Sequence, residues 1–251
     1  MTSDGKVLLI TGGGRGIGAA TARLAAQRGY AVCVNYLNNR AAADGVVSDI
    51  ERAGGRAIAV AADVAAEADV VRMFETVDKS LGPLTALVNN AGTVERQMRV
   101  EDMGAERLAR VFAVNVVGGF LCAREAVRRM STQHGGGGGA IVNVSSGAAR
   151  LGSPNEYVDY AATKGAIDTM TIGLAREVAT EGIRVNAVRA GQIYTGFHAL
   201  GGEPGRVDRV KQFVPMRRGG QPEEVANAIV WLLSDEASFS TGTFIDVTGG
   251  R

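Results

Sequence analysis

Strand-like and helix-like segments alternate from one end of this chain to the other, and that alternation restricts its fold more than any other feature. Short apolar runs at Lys6–Thr11, Ala31–Tyr36, Ala57–Ala61, Ala86–Asn89, Ala140–Val144, Arg184–Val188 and Thr243–Val247 read as strands. Helical spacing fills the gaps. In Ile17–Arg28 the residues Ile17, Ala20, Leu24 and Ala25 share a face, and Gly29 stops the helix. Further helices are expected over Ala41–Ala53, Ala66–Ser80, Gly104–Met130 with a bend near Gly118-Gly119, Tyr157–Thr180 and Pro222–Leu233. Strands joined by helices run parallel, through right-handed crossovers that cover both faces. The expectation is an α/β fold: a doubly wound parallel sheet of about seven strands, with helices on both faces. Length allows one domain over residues 1–251. Only Tyr194–Gln221 lacks a period, so it is expected to be a lid or insertion over the substrate.

Bulk properties exclude several functions. The formal net charge is +1, which leaves no excess charge for nucleic acid or a membrane surface. No run reaches the roughly 18 apolar residues of a membrane span. The acidic start and early Gly-rich turn do not suit a signal peptide, so a cytoplasmic protein is expected. Cys33 and Cys122 lie in apolar stretches without a neighbouring ligand, as buried thiols do. His134 adjoins a glycine run and His198 falls in the expected lid, and no metal-ligand cluster is visible.

Ligands bind such sheets beyond the carboxyl ends of the strands. The first strand runs straight into Thr11-Gly12-Gly13-Gly14-Arg15-Gly16-Ile17-Gly18, a T-G-x-x-x-G-x-G pattern on a strand–turn–helix. Glycines there permit positive φ and let backbone N–H groups approach a pyrophosphate at a helix N-terminus. NAD-specific folds place an acid about 20 residues further on, against the ribose 2′-OH. This chain has no acidic residue between Gly12 and Asp44, while Asn35 lies near the end of the second strand and Arg15 and Arg40 flank the region. An Arg can pair with a 2′-phosphate that a carboxylate would repel, so NADP(H) is expected over NAD(H).

The chain resembles the short-chain dehydrogenase/reductase family. The Gly-rich turn is followed in order by Asn89-Asn90-Ala91-Gly92, Asn115, Ser145-Ser146 and Tyr160-Ala-Ala-Thr-Lys164, from Lys6 to about Gly250. The resemblance implies hydride transfer between the cofactor and a small carbonyl or alcohol, with Asn115, Ser146, Tyr160 and Lys164 as the catalytic group. It places Gly12, Arg15, Gly16, Ile17, Gly18, Asp63, Val64, Asn90, Ala91, Gly92, Gly191, Ile193 and Thr195 at the cofactor. Counting back from Tyr160 by the family spacing lands on Gly147, so one extra residue sits in Gly147–Asp159. Ser146 is preferred to Ser145 as the last strand position. The family's usual P-G after the sixth strand is Ala190-Gly191 here.

Proton transfer to a developing oxyanion is best served by an acid near neutral pKa. Tyrosine starts at about 10, and Lys164, four residues on along the same helix face, is expected to lower it. Ser146 would donate to the substrate oxygen. By the resemblance, Lys164 also holds the nicotinamide ribose, and Asn115 holds a water that links Lys164 to solvent. Two substrate readings compete, a 3-oxoacyl group on acyl carrier protein and a small polyol, sugar or ketone. Glu181, where carrier-docking members hold a base, argues against the first. A non-catalytic NADP-binding sensor or scaffold is the rival class, and retention of Tyr160 and Lys164 speaks against it. Homotetramers are common in the family. Apolar Phe112, Val116, Val117, Phe120, Leu121, Ile167, Met170 and Leu174, with the edge strand Gly242–Val247, suit such packing.

Overall fold

The computed structural model describes residues 5–251, so the acidic start lies outside the described residues. Seven strands form one sheet: β1 (Val7–Ile10), β2 (Ala31–Tyr36), β3 (Ala57–Ala61), β4 (Ala86–Asn89), β5 (Gly139–Ser146), β6 (Ile183–Ala190) and β7 (Phe244–Val247). Their order is β3-β2-β1-β4-β5-β6-β7, and every pair is parallel. The order reverses between β1 and β4, which opens a crevice at their carboxyl ends.

Period-two alternation in β1 divides the core. Leu8 and Ile10 face a layer built by α1 (Gly16–Gln27), α2 (Arg40–Arg52) and, at the far end of the chain, α10 (Pro222–Leu233). Val7 and Leu9 face the opposite layer, which holds α3 (Glu67–Ser80), α5 (Gly118–Met130) and α7 (Val158–Val178). Pro222 starts α10, and Gln221 with Glu224 closes a reciprocal cap at its N-terminus. Cys33 and Cys122 are buried free thiols.

Three segments depart from the expected pattern. The stretch read as one helix over Gly104–Met130 is α4 (Ala105–Phe112), a π-helical turn at Ala113–Val117, and α5. The irregularity falls at Asn115 rather than at Gly118-Gly119. A single wider turn covers too few residues to register as a change of period, so periodicity does not reveal it. Strand β5 extends to Ser146 because its pairing with β6 continues through Ser145↔Arg189 and Ser146↔Ala190. The aperiodic segment holds α8 (Phe197–Leu200) and α9 (Arg206–Val210), and α6 (Ala148–Leu151) follows β5. Helices this short span little more than one turn, too little to show a period.

Candidate active site

A cleft of ≈ 1130 Å³ opens at the carboxyl ends of the strands. One side is the Gly-rich turn. Gly12 (φ +62°) and Gly16 (φ +53°) adopt the left-handed conformation that a side chain disfavours. Gly18 is required for another reason. A Cβ there would lie 2.6 Å from the Gly12 carbonyl oxygen, so Gly18 packs the helix against the turn and does not itself reach the cleft. Two side chains hold the turn from behind. Asn35, only 2% exposed, accepts from the Gly12 N–H at 3.1 Å and donates to the Ala62 carbonyl at 3.0 Å. Asn90 donates to the Thr11 and Gly12 carbonyls at 2.9 and 3.0 Å. The Thr11 hydroxyl accepts from the Asn90 and Ala91 N–H groups, each at 3.0 Å, and so ties the end of β1 to the end of β4.

These glycines leave backbone exposed beside the N-terminus of α1, whose first turn carries no acidic residue. Such a cradle fits a pyrophosphate. Arg15, Gly16, Ile17, Asp63, Val64, Gly92, Gly191, Ile193 and Thr195 line the cleft together with Gly12, Asn35, Asn90 and Ala91. The Asp63 carboxylate accepts from the Ala65 N–H at 2.9 Å and shapes its own loop. At the Ala190-Gly191 departure the chain stays in register, since the Gly191 N–H donates to the Val247 carbonyl at 3.0 Å. Arg40 is a correction to the expected set. Its side chain stays in solvent, paired with Asp44 one helical turn on at 3.2 Å, and does not line the cleft. Arg15 lines the cleft and has no carboxylate within ion-pair distance among the described residues.

Tyr160 and Lys164 stand one turn apart on α7 and face the cleft. The two adjacent serines of β5 point to different partners, as successive strand residues must. Ser145 is buried and donates to Asp168 at 2.6 Å, whereas Ser146 lies in the cleft wall with Tyr160, its hydroxyl accepting from the Ala148 N–H at 3.1 Å and acting to lower the Tyr160 pKa. The geometry therefore separates the pair that the sequence left ambiguous. Burial dominates at Tyr160 and pushes it up to about 12. This reverses the expected depression by Lys164. The Lys164 Nζ lies 5.6 Å from the Tyr160 ring centroid and donates to the Val144 carbonyl at 2.7 Å, so burial outweighs its pull. Burial also brings Lys164 down to about 8, against a smaller opposing effect of Asp168.

Asn115 does not reach the main cleft. Its side chain accepts from the Thr93 N–H at 2.7 Å and donates to Thr93 O and the Thr163 hydroxyl at 2.9 and 3.1 Å. Thr163 in turn donates to the Tyr160 carbonyl at 2.7 Å, so Asn115 braces the Tyr-bearing turn from below. Sequence reasoning gave no role to Thr163 or Asp168, since Asn115 and Ser145 reach them from distant parts of the chain. Phe197 was also missed, although it lies in the aperiodic segment beside His198. Its ring centroid is 5.7 Å from that of Tyr160.

The family described as enoyl-(acyl carrier protein) reductase matches residues 12–251. An uncharacterized oxidoreductase of Escherichia coli K12, YgfF, is 62% identical over 245 residues, covering 98% of this chain and 99% of that protein. A 3-oxoacyl-[acyl-carrier-protein] reductase of Synechocystis is 39% identical over 98% of this chain and 96% of its own length. Among solved structures, a Serratia marcescens short-chain dehydrogenase/reductase, studied as a double mutant, superposes with a TM-score of 0.90 at 32% identity, covering 100% of this chain and 99% of its own.

Proposed function

Because the chain belongs to the short-chain dehydrogenase/reductase family of oxidoreductases, we propose that it interconverts a small carbonyl compound and a secondary alcohol with NADP(H), using Tyr160 as acid/base. The observation that carries this reading is the meeting of Tyr160, Ser146 and Lys164 on one wall of the cleft that also contains the Gly-rich turn. Bound there, the nicotinamide supplies or accepts the hydride. The turn at Gly12–Gly18 would hold the pyrophosphate, and Ile193 and Thr195 would meet the carboxamide end.

Tyr160 gives its phenolic proton to the substrate oxygen during reduction and takes it back during oxidation. Held near 12 by burial, it is protonated at neutral pH, the form reduction needs. Ser146 donates to the same oxygen and stabilises the charge that develops on it. Lys164, with a pKa of about 8, is largely an ammonium at pH 7. It can donate to the cofactor ribose and stabilise the phenolate that remains after proton transfer. Asn115 keeps the Tyr160 turn in place through Thr163.

Preference for NADP(H) rests on Arg15, an exposed cation in the cleft wall without a carboxylate partner among the described residues, and on the lack of any acid between Gly12 and Asp44. We infer a homotetramer and a cytoplasmic location. Half-exposed Phe120 and Val117 on the α4–α5 face support the first, and two buried free thiols support the second. No described helix is long and apolar enough to cross a membrane. A panel of carbonyl compounds with NADPH, and of alcohols with NADP, followed by nicotinamide absorbance, tests the reading. Turnover that tracks Tyr160 is expected, and no turnover on any member of the panel would overturn it.

A further inference from the structure

The two ends of the cleft differ in charge. At the cofactor end Arg15 has no carboxylate partner among the described residues. At the other end, beyond Tyr160, Arg206 and Arg110 of the wall are already neutralised. Arg206, only 7% exposed, pairs with Glu156 at 2.5 Å and with Glu203 at 3.1 Å. Arg110 pairs with Glu95 at 3.1 Å. Arg209, outside the wall, adds a further pairing to the same two acids, Glu156 and Glu203. Arg206, Arg110, Glu156 and Glu95 line the wall itself, two charges of each sign, with Glu203 and Arg209 behind them. Burial and then Arg206 disfavour charge on His198 and hold its pKa below the ordinary value. Arg251 also lines the cleft but is exposed, where solvent screens its pull.

The surface left at this end is apolar and aromatic. Phe197 lies against Tyr160 at 5.7 Å between centroids with a 51° tilt, and His198 sits edge-on to Phe197 at 6.1 Å. Tyr157 forms the floor. It is 5% exposed, and the Arg206 guanidinium covers its ring at 4.9 Å. The guanidinium is therefore occupied on its face as well as at its edges. A substrate anion could recruit it only by out-competing Glu156 and Glu203, two half-buried carboxylates already held on its edges at 2.5 and 3.1 Å. An uncharged ring or alkyl group meets no such cost and gains contact with Phe197 next to the reacting oxygen.

We propose that this end of the cleft selects uncharged ketones and secondary alcohols carrying a ring-sized apolar group, with Phe197 as the residue that recognises that group. The inference rests on the proposed hydride-transfer reading. Glu156 and Glu203 act as positioning residues that keep Arg206 from attracting anionic substrates.

Two compounds differing by one charge test it: acetophenone, and the same ketone with a para carboxylate, each reduced with NADPH. The neutral compound is expected to have the higher kcat/KM, by roughly tenfold or more. Equal or better turnover of the carboxylate would overturn the inference. Phe197→Ala should lower kcat/KM for acetophenone roughly tenfold while leaving acetone within about threefold. An equal loss on both would show that Phe197 merely supports Tyr160. Glu203→Gln should narrow the gap between the two ring compounds, and an unchanged gap counts against the positioning role. If neither ring ketone is reduced while other carbonyl compounds are, the inference is overturned; if no carbonyl compound consumes NADPH, the hydride-transfer reading fails, and calorimetry of the protein with NADP decides the inference alone. Selective binding of 1-phenylethanol over its para-carboxylate supports it; binding of neither, or of the carboxylate more tightly, overturns it.

Discussion

At the residue scale the site sets burial against charge. Tyr160→Phe removes the proton donor while keeping the ring against Phe197. It should bind NADPH as wild type does and lose at least ~100-fold in turnover, the lower range for removing a general acid; near-wild-type turnover would end the assignment. Lys164 lends itself to a pH test. Its folded value of about 8 lies below the ordinary 10.5, so between those values the unfolded chain binds more protons. Stability then rises with pH across that window, and the cost of burying the ammonium is fully present below about pH 8. The melting temperature of Lys164→Met, relative to wild type, should be most favourable at neutral pH and decline toward pH 10. A difference independent of pH would mean that Lys164 is not desolvated in solution. Arg15→Ala should weaken NADPH by about 1 kcal/mol, roughly fivefold, because the pair it would form is exposed. NADH binding should stay unchanged, and equal weakening of both cofactors would remove Arg15 from the phosphate.

Among the elements, α7 carries both Tyr160 and Lys164, and a buried ion pair holds its first turn. Arg107 on α4 donates to Asp159 at 2.8 Å, with side chains 7% and 1% exposed. It also donates to the Arg96 carbonyl at 2.6 Å. Asp159 accepts from the Tyr160 N–H at 2.9 Å, so the pair is tied to the backbone of Tyr160. Removing one partner leaves the other charge buried and uncompensated. Arg107→Met should therefore cost about 3–5 kcal/mol in denaturant unfolding. Adding Asp159→Asn should restore a large part, since the amide still accepts from Tyr160 without carrying charge. If the double variant is no better than the single one, the loss comes from packing rather than from the stranded carboxylate.

At the scale of the whole molecule, the α4–α5 face carries exposed apolar side chains. Phe120 is 52% and Val117 47% exposed there, beside Phe112 at 37%. A contiguous apolar strip of this kind, with β7 an edge strand, suits twofold packing of identical surfaces. Sedimentation at micromolar concentration should give a multiple of the 26.0 kDa chain mass. Phe120→Glu should yield smaller species with unchanged circular dichroism. A wild-type mass near that of one chain rejects the assembly.

From the sequence alone, the alternation of periods determined the layered parallel sheet, because period two and period 3.6 are local consequences of backbone geometry. The Gly-rich turn was legible for the same reason: positive φ at Gly12 and close packing at Gly18 each exclude a side chain. Tyr160 and Lys164 were legible because four residues along a helix is one turn. Other features depended on segments meeting from far apart. Which of Ser145 and Ser146 faces Tyr160 was decided by Asp168 lying behind Ser145. The withdrawal of Arg40 from the cleft is by contrast a local matter, since it has an acid one turn ahead on an exposed helix and Arg15 has none. The neutral end of the cleft depends on Arg206 meeting Glu156 from a segment 50 residues earlier. No local rule specifies such a pairing, because tertiary packing chooses which carboxylate shares a guanidinium's low-dielectric surroundings.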